Sequence, residues 1–344
     1  MLSTSDLPLA FDRRDALAAG WTRHRFHHRV SADDVVEVAP RVFADAVSWH
    51  LASPAGRHAA LARIAASRYR GTAVSHASAA VLHDLPTPRF LPDEIALSAD
   101  KRRNLGDDAA WVDVRRSALP ERLVTTVDGI RVTTLARTAV DCLRVLPRMD
   151  GLAIADAVVR RGTGPGELVG VRRMQVRWPG VRTARWGLGL LDGRRESWLE
   201  SASAAALDGW LPPAVPQVDV RDRATGRFVG RVDALWPDLR VAGESDGVAK
   251  FRGLAGADPS ARAVADRLVA AEVRADRLRE VGLGLVRWGA ADLRDVPALA
   301  GRIRAAQPSR PWRAELSCAT CRQGLGDCRC APSLLLPPSA LAAA

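Results

Sequence analysis

The spacing of apolar residues divides the middle of the chain into predicted helices and predicted strands. Short β-branched runs at 94–98 and 111–115 are typical of strands, and 122–134 predicts a hairpin because Asp128 and Gly129 supply a two-residue turn. Four stretches repeat apolar residues at the helical spacing of three or four: 55–67, 73–83, 135–146 and 149–161. We therefore expect residues 51–185 to form a mixed α/β region.

The first fifty residues predict a small helix–turn–helix with a two-stranded wing. A short helix is expected from Asp12 to Ala19, Gly20 ends it, and Thr22 caps the helix that follows. Two short β-branched pieces then flank Pro40, as in a wing. The second helix carries three arginines that could meet phosphates or base edges of DNA: Arg23, Arg25 and Arg29.

The pattern over 186–305 predicts one α/β domain. A helix over 195–207 comes before three strand candidates, and a long helix, a further strand and a last helix come after them. The strand candidates are 217–221, 228–236 and 239–246. The expected fold class of the whole chain is multidomain α+β and α/β, with four parts: 1–50, 51–185, 186–305, and a cysteine segment with a disordered tail at 306–344.

Charge adds a partner class to this picture. The chain has 344 residues, a formal net charge of +11 and a pI of about 10.7, and all of its 50 basic residues except Lys101 and Lys250 are arginine. Arginine binds phosphate oxygens with two hydrogen bonds and stacks on bases, which makes DNA or another nucleic acid the leading partner. The alternative is that richness in arginine and alanine reflects only a GC-rich genome.

The N-terminal residues predict no signal peptide, because no basic stretch followed by an apolar run occurs there. No apolar run approaches the roughly 20 residues that a membrane span needs. We therefore expect no membrane association and a reducing cytoplasm as the compartment.

Carboxylates occur where the predicted strands of 186–305 end. Asp233 lies in the second strand, and Glu244 and Asp246 lie at the end of the third. Converging carboxylates repel one another unless a cation lies between them, and Mg²⁺ or Mn²⁺ prefers oxygen ligands. We expect a metal site that activates water for phosphodiester hydrolysis, with Glu200 as a further ligand and Lys250 offsetting charge on phosphorus. The alternative is a polar hairpin end with solvated acids.

Four of the five cysteines lie close together near the end of the chain, at Cys318, Cys321, Cys328 and Cys330. C-x₂-C is a common half of a zinc knuckle, although C-x-C is a less usual second half. The pattern predicts a structural zinc site in which thiolates fill all four positions. Redox thiols or an unstructured tail are the alternatives.

Several motifs in 194–295 resemble a domain related to very-short-patch-repair endonucleases, within the PD-(D/E)XK nuclease superfamily. They are E-S-W-L-E-S, R-V-D-A-L-W-P, G-E-S-D-G-V-A-K-F and A-E-V-R-A-D-R-L-R-E-V-G-L-G-L-V-R-W. The resemblance implies a restriction-endonuclease-like α/β/α fold over 186–305 and metal-dependent DNA cleavage. It places acidic site residues at Glu200, Asp233, Glu244 and Asp246, with Lys250 just beyond. Asp246 departs from the strict pattern, which has lysine there.

The resemblance also extends to charged positions after the acids. These are Glu272, Arg274 and Asp276 on the long helix and Arg287 on the last strand.

The front of the chain resembles AbiEi-type antitoxins. The likeness rests on F-D-R-R-D-A-L-A-A-G-W-T-R-H-R-F-H-H-R-V, on A-V-S-H-A-S-A-A-V-L-H-D-L-P and on G-I-R-V-T-T-L-A-R-T-A-V-D. It implies a winged helix over 1–50 that binds DNA, and a cognate toxin or defence protein as a partner. The alternative to a nuclease is therefore a non-catalytic transcriptional regulator or antitoxin.

Ser75, His76 and His83 form one further polar group, with the two histidines seven residues apart on one helical face. A nucleophile and its base would have such spacing, but buried polar packing is the favoured interpretation.

Overall fold

The chain is a mixed α/β protein, which confirms the general fold class. The computed structural model describes residues 7–101, 110–245 and 261–330, and the side chains of 261–268 are not described. Twelve α-helices and three β-sheets lie in these ranges. The chain divides into two compact units, Met1–Val145 and Leu146–Ala344. The finer boundaries at 50, 185 and 305 stay predictions. The predicted site residues Asp246 and Lys250, and the tail from 331, lie outside the described residues.

The first unit begins with two helices and a hairpin. Asp12 caps the first helix by accepting hydrogen bonds from the Arg14 and Asp15 N–H groups, and Thr22 accepts one from Arg25 N–H. Phe11 pairs with Phe43 of the hairpin through two main-chain bonds of 2.8 and 2.9 Å. The elements are α1 (Arg13–Ala18), α2 (Arg23–Ser31), β1 (Val35–Ala39), β2 (Val42–Asp45) and α3 (Ala46–Leu51).

The rest of the first unit is a five-stranded sheet with helices. Its strand order is β5-β4-β3-β7-β6. The turn between β6 and β7 has Asp128 and Gly129 at φ 48° and 79°, which is the left-handed geometry that a two-residue hairpin turn requires. The elements are α4 (Pro54–Arg68), β3 (Ala73–Val74), α5 (His76–Leu82), β4 (Ile95–Ala99), β5 (Val112–Arg116), β6 (Val124–Val127), β7 (Ile130–Thr133) and α6 (Leu135–Val145).

The second unit opens with four helices and then builds a second five-stranded sheet, in the order β11-β10-β9-β8-β12. β10 and β11 are parallel, and the other pairs are antiparallel. The elements are α7 (Arg148–Arg160), α8 (Pro165–Met174), α9 (Val181–Leu190), α10 (Trp198–Leu207), β8 (Val215–Asp222), β9 (Phe228–Trp236), β10 (Val241–Ser245), α11 (Ala261–Glu280), β11 (Gly284–Trp288), α12 (Val296–Ala305) and β12 (Ala314–Cys318).

Helices cover both faces of this sheet. Val241 packs in a cluster with residues of α10 and α12, whereas its neighbour Ala242 packs in another with Leu278 and Val281, which lie at and just after the end of α11. Successive side chains of a strand point to opposite faces, so the two clusters are the two faces of the sheet. None of the helices in the described ranges is long and apolar enough to cross a membrane.

Candidate functional site

The β9–β10 hairpin brings the first two predicted acids to the same end of the sheet. The strands pair antiparallel with Gly243 opposite Ala234, so Asp233 and Glu244 are the next residues along the pair. Ser245 donates from its main-chain N–H and from its hydroxyl to Asp233 Oδ2, at 2.9 and 3.0 Å. The end of β10 therefore fixes the carboxylate of Asp233.

Glu200 lies in the first turn of α10 and holds its carboxylate towards the sheet. Its main-chain N–H bonds to the N-cap Ser197, and its Oε2 accepts from the Glu196 N–H at 3.0 Å and from Gln217 Nε2 at 2.8 Å. Burial raises the pKa of Glu200, and the charge of Asp233 raises it further, while the bonds from Glu196, Gln217 and Ser197 oppose the shift. The two carboxylates therefore act on each other electrostatically.

Glu200 and Asp233 line one small cavity of about 50 Å³. Its walls are largely apolar and include Trp236, Trp288 and the run of prolines before β8. Within this apolar lining the two carboxylates are the polar groups that could fix the orientation of a bound group. Glu244 is not among the described residues that line it.

Glu244 is paired with two arginines. Arg274 Nη2 lies 2.6 Å from its Oε1 and Arg287 Nε lies 2.9 Å from its Oε2, and the residue is only 4% exposed. Arg287 also donates to the Ala271 carbonyl at 2.9 Å, which ties the pair to α11. Both oxygens of this carboxylate are thus engaged by cations of the chain.

The structure places the three described acids in two different environments. Glu200 and Asp233 share the cavity, while Glu244 belongs to the arginine pair. Of the ranges described, only the four cysteines form a group of three or more His, Cys, Asp or Glu side chains that could hold a metal ion. The predicted triad of Asp233, Glu244 and Asp246 is untested, since Asp246 lies outside those ranges.

The four cysteines come together at the end of β12, as their spacing indicated. The sulfur atoms of Cys318, Cys321, Cys328 and Cys330 all lie within 4.8 Å of one another, and none forms a disulfide. Cys321 Sγ and Cys328 Sγ are 3.7 Å apart. Zinc–thiolate bonds of about 2.3 Å at tetrahedral angles give sulfur separations of about 3.8 Å. The geometry therefore fits a four-coordinate metal with no open position.

A guanidinium lies against this cysteine cluster. Arg194 Nη1 is 3.7 Å from Cys328 Sγ and 3.9 Å from Cys318 Sγ, and Asp192 holds the same guanidinium at 2.6 Å. Burial alone would raise the pKa of Cys318, but main-chain N–H groups and Arg194 lower it to about 6. Burial and the neighbouring thiols raise the pKa of Cys330 to about 12. The pKa of Cys328 is raised as well, and a bound cation would stabilise the thiolate form of both Cys328 and Cys330.

The predicted DNA-contact helix is α2, and its arginines differ in their surroundings. Arg23 is exposed, whereas the guanidinium carbons of Arg25 and Arg29 lie 4.8 and 5.4 Å from the ring centre of Trp21. Arg29 Nε also lies 3.4 Å from a carboxylate oxygen of Asp34. Arg29 is therefore engaged by its own unit, and Arg23 is the most accessible of the three predicted contacts.

The Ser75, His76 and His83 group is packed inside the first unit. Ser75 Oγ lies 2.8 Å from His76 Nδ1, and both residues are buried. His83 Nε2 bonds to the Thr133 carbonyl at 2.7 Å. The two histidines thus have separate partners, in keeping with buried polar packing.

Comparison with known proteins gives relatives but no family. No protein-family model matches the chain. Two Mycobacterium tuberculosis proteins, the uncharacterized protein Rv2248 of strain H37Rv and the uncharacterized protein MT2308 of strain CDC 1551, are each 32% identical over 180 residues. The match covers 52% of this chain and 62% of each relative, so the chain spans less than two thirds of their length.

Among solved structures, the RV2827C protein from Mycobacterium tuberculosis is similar over 58% of this chain and 74% of that chain. The identity is 16% and the TM-score is 0.37, which is too low to indicate a shared fold.

Sequence reasoning did not find Gln217 or Arg194, which bond to the candidate sites. Gln217 lies in a predicted strand beside two apolar residues, and Arg194 is one of many arginines. Their partners are 17 residues away for Gln217, and 124 and 134 residues away for Arg194. A left-handed φ of 55° at Gln217 marks it as unusual, but that feature is visible only in the folded chain.

Proposed function

We propose that the protein binds DNA and carries a metal-dependent endonuclease-like domain that hydrolyses phosphodiester bonds. The observation that carries the proposal is the pairing of β9 with β10, which brings Asp233 and Glu244 to neighbouring strand ends, with Glu200 in the same cavity as Asp233. The restriction-endonuclease-like fold of 186–305 and the winged helix of 1–50 belong to this proposal, because they rest on resemblance.

The proposed cation site consists of Asp233, Glu244 and Asp246, with Glu200 beside it. A bound Mg²⁺ or Mn²⁺ supplies a water of lowered pKa and charge stabilisation at phosphorus. Glu200 Oε2 is occupied by hydrogen bonds, and no bond to its Oε1 is found among the described residues, so Oε1 is the oxygen available to a ligand. The raised pKa of Glu200 suits it to accept a proton from the attacking water.

Arginines of α2 supply the proposed contacts with the DNA backbone. Arg23 on α2 is exposed, and the guanidinium of Arg25 on the same helix lies over the ring of Trp21, which precedes the helix. Phosphate contacts of this kind give affinity that falls with salt and carry no sequence preference. Lys250 remains a proposed partner of the scissile phosphate.

Plasmid cleavage tests the enzyme directly. Purified protein is incubated with supercoiled plasmid and Mg²⁺ or Mn²⁺, or with chelator, beside the Asp233→Ala/Glu244→Ala double variant. The matched control is Asp238→Ala, an exposed acid in the turn of the same hairpin. We expect metal-dependent nicking by the wild type and the control and none by the double variant, with DNA retardation retained by all three. Equal nicking by the double variant would refute the assigned site.

Structural zinc at the four cysteines is the second part of the proposal. The sulfur separation of 3.7 Å and the mutual approach within 4.8 Å support it. We expect one zinc per chain by elemental analysis of the purified protein, and loss of that zinc from Cys330→Ser. Zinc-free wild-type protein that keeps its near-UV circular dichroism would contradict this part alone.

A non-catalytic DNA-binding regulator is the second candidate function, and the pairing of Glu244 with Arg274 and Arg287 favours it. An acid whose two oxygens are held by guanidinium groups has an electrostatic role without any metal. This candidate predicts DNA retardation without cleavage under every metal condition. It also predicts that a cognate toxin or defence protein co-purifies with the chain.

A further inference from the structure

We propose that Gln217 is a positioning residue that couples metal at the four cysteines to the Glu200 carboxylate. Its role at a cation site rests on the proposed function, but the coupling itself is a property of the fold. Gln217 contacts the cysteine segment through its main chain and Glu200 through its side chain. No other described residue bonds directly to both.

The main-chain contact comes from the edge of the sheet. β12 pairs with β8 so that Cys318 lies opposite Val218, and the Ala319 N–H then donates to the Gln217 carbonyl at 3.0 Å. Ala319 lies between the first two predicted metal ligands, Cys318 and Cys321. A metal on those thiolates fixes the loop that holds the Gln217 carbonyl.

The side chain of Gln217 contacts Glu200, which lines the cavity together with Asp233. Gln217 Nε2 donates to Glu200 Oε2 at 2.8 Å, and Gln217 is only 3% exposed. Its φ of 55° is a left-handed conformation that is strained for a residue other than glycine and persists only where its surroundings hold it. The two contacts, one on the carbonyl and one on the amide, hold it on both sides.

A second route joins the same two sites and makes the coupling stronger. Arg194 contacts the thiols of Cys318 and Cys328 and forms an ion pair with Asp192. Buried Asp156 accepts a hydrogen bond from the Asp192 main-chain N–H at 2.8 Å and another from the Ser201 hydroxyl of α10 at 2.8 Å. The route runs through Arg194, Asp192, Asp156 and Ser201. Ser201 is the residue after Glu200.

Loss of metal from the four cysteines should therefore change the orientation of the Glu200 carboxylate in the cavity. The cysteine loop no longer fixes the Gln217 carbonyl, the strained backbone relaxes, and its amide leaves Glu200 Oε2. A carboxylate that is no longer oriented binds a cation less well, because the cation site depends on its geometry. We expect Mn²⁺ affinity at the cleft to fall about tenfold, which is the scale of lost outer-shell bonds.

Side-chain amide resonances test the coupling without any activity. The chain has only four glutamines, at 175, 217, 307 and 323, so ¹⁵N-glutamine labelling gives four side-chain pairs. The Gln217 pair is the one missing in Gln217→Met, and exposed Gln307 is the internal reference. We expect the Gln217 pair to shift in Glu200→Gln and again when zinc is removed by chelator. A pair that responds to Glu200→Gln but not to zinc removal would overturn the proposal.

Zinc retention gives a second measurement in case zinc removal unfolds the chain. Coupling between two sites is reciprocal, so a change at Gln217 must also alter zinc binding. We expect Gln217→Met to lose zinc to a competing chelator several-fold more readily than wild type. The matched control is Arg221→Ala, an exposed residue of the same strand, which should retain zinc as the wild type does. Equal zinc retention by Gln217→Met and wild type would refute the coupling.

Mn²⁺ affinity in a double-mutant cycle separates this proposal from the proposed function. The variants are Gln217→Met, Cys330→Ser and their combination, measured by the electron paramagnetic resonance of free Mn²⁺. If Gln217 transmits the effect, the combined loss of affinity equals that of one variant, whereas additive losses overturn the proposal. Wild type that binds no Mn²⁺ but whose Gln217 amide responds to zinc removal would support the coupling and refute the cation site.

Discussion

Two buried histidines should make the first unit lose stability in mild acid. Burial lowers the pKa of His58 to about 4, although Asp93 opposes the shift. Burial likewise lowers the pKa of His76 to about 4, against the charge of Asp141 and together with three arginines: Arg115, Arg137 and Arg144. His58 Nε2 shares a 2.7 Å hydrogen bond with Ser78 Oγ, while His76 Nε2 is buried and has no hydrogen-bond partner in the part of the chain that the structure describes.

The sign follows from which state binds the proton first. The unfolded histidines take up protons near pH 6.5, and the folded ones only near pH 4. The free energy of unfolding therefore falls as the pH drops from about 7 to about 4, and it is constant outside this window for these groups. Linkage gives about 2 kcal/mol lost per histidine between pH 7 and pH 5, hence about 4 kcal/mol for both. That is a large part of the 5–15 kcal/mol of a typical domain.

The assay compares wild type with a variant that cannot titrate at these positions. His58→Gln keeps a donor towards Ser78, and His76→Asn suits the left-handed backbone at φ 54° because asparagine tolerates that region. Hydrogen exchange of amides in α5, corrected for intrinsic rates, is measured at pH 7 and pH 5. We expect the double variant to lose about 4 kcal/mol less than wild type between these pH values.

An equal loss in both proteins would refute the reasoning, since carboxylates and the other histidines are common to them. A loss in the variant that exceeds the wild-type loss would show that the protonated histidines stabilise the fold.

Two further predictions concern charges in the second unit. Arg172 is buried, and its Nε has no hydrogen-bond partner among the described residues. Burial and two neighbouring arginines lower its pKa. Arg172→Met should therefore raise the free energy of unfolding in urea by about 1 kcal/mol, and a lower urea midpoint would contradict this. Asp156→Asn should lower the free energy of unfolding by about 3–5 kcal/mol, because it leaves the charge of buried Arg195 uncompensated. Asp128→Asn, at an exposed ion pair of the first unit, should lower it by under about 1 kcal/mol. Equal losses would show that burial does not decide the effect.

Local chemistry in the sequence predicted the elements that form from nearby residues. Asp12 and Thr22 begin their helices as expected, and the turn at Asp128 and Gly129 forms the expected hairpin. The cysteine cluster was also predictable, because its ligands lie within thirteen residues of one another. In each case the decisive contact spans only a few residues, so spacing along the chain is close to spacing in the fold.

Long-range pairings were beyond such rules. β12 joins the sheet beside β8 although Ala314 and Asp222 are far apart in the chain, and the sequence placed the cysteines in a separate segment. Glu244 meets an arginine 30 residues away and another 43 residues away. In a chain with so many arginines, periodicity and spacing do not indicate which one reaches a given acid, since that depends on the register of strands and helices.

Each of the three described acids has partners within the chain that stabilise its carboxylate. Two guanidinium groups pair with Glu244, a main-chain N–H and a hydroxyl donate to Asp233, and a main-chain N–H and the Gln217 amide donate to Glu200. The chain itself therefore supplies much of the positive charge and hydrogen bonding that the repulsion between these acids first suggested a cation would provide. A cation that used Glu244 would have to displace Arg274 or Arg287, and a DNA phosphate is a partner that could take up the released guanidinium. The proposed nuclease therefore requires Glu244 to separate from one of its two arginines, whereas the proposed regulator keeps both ion pairs.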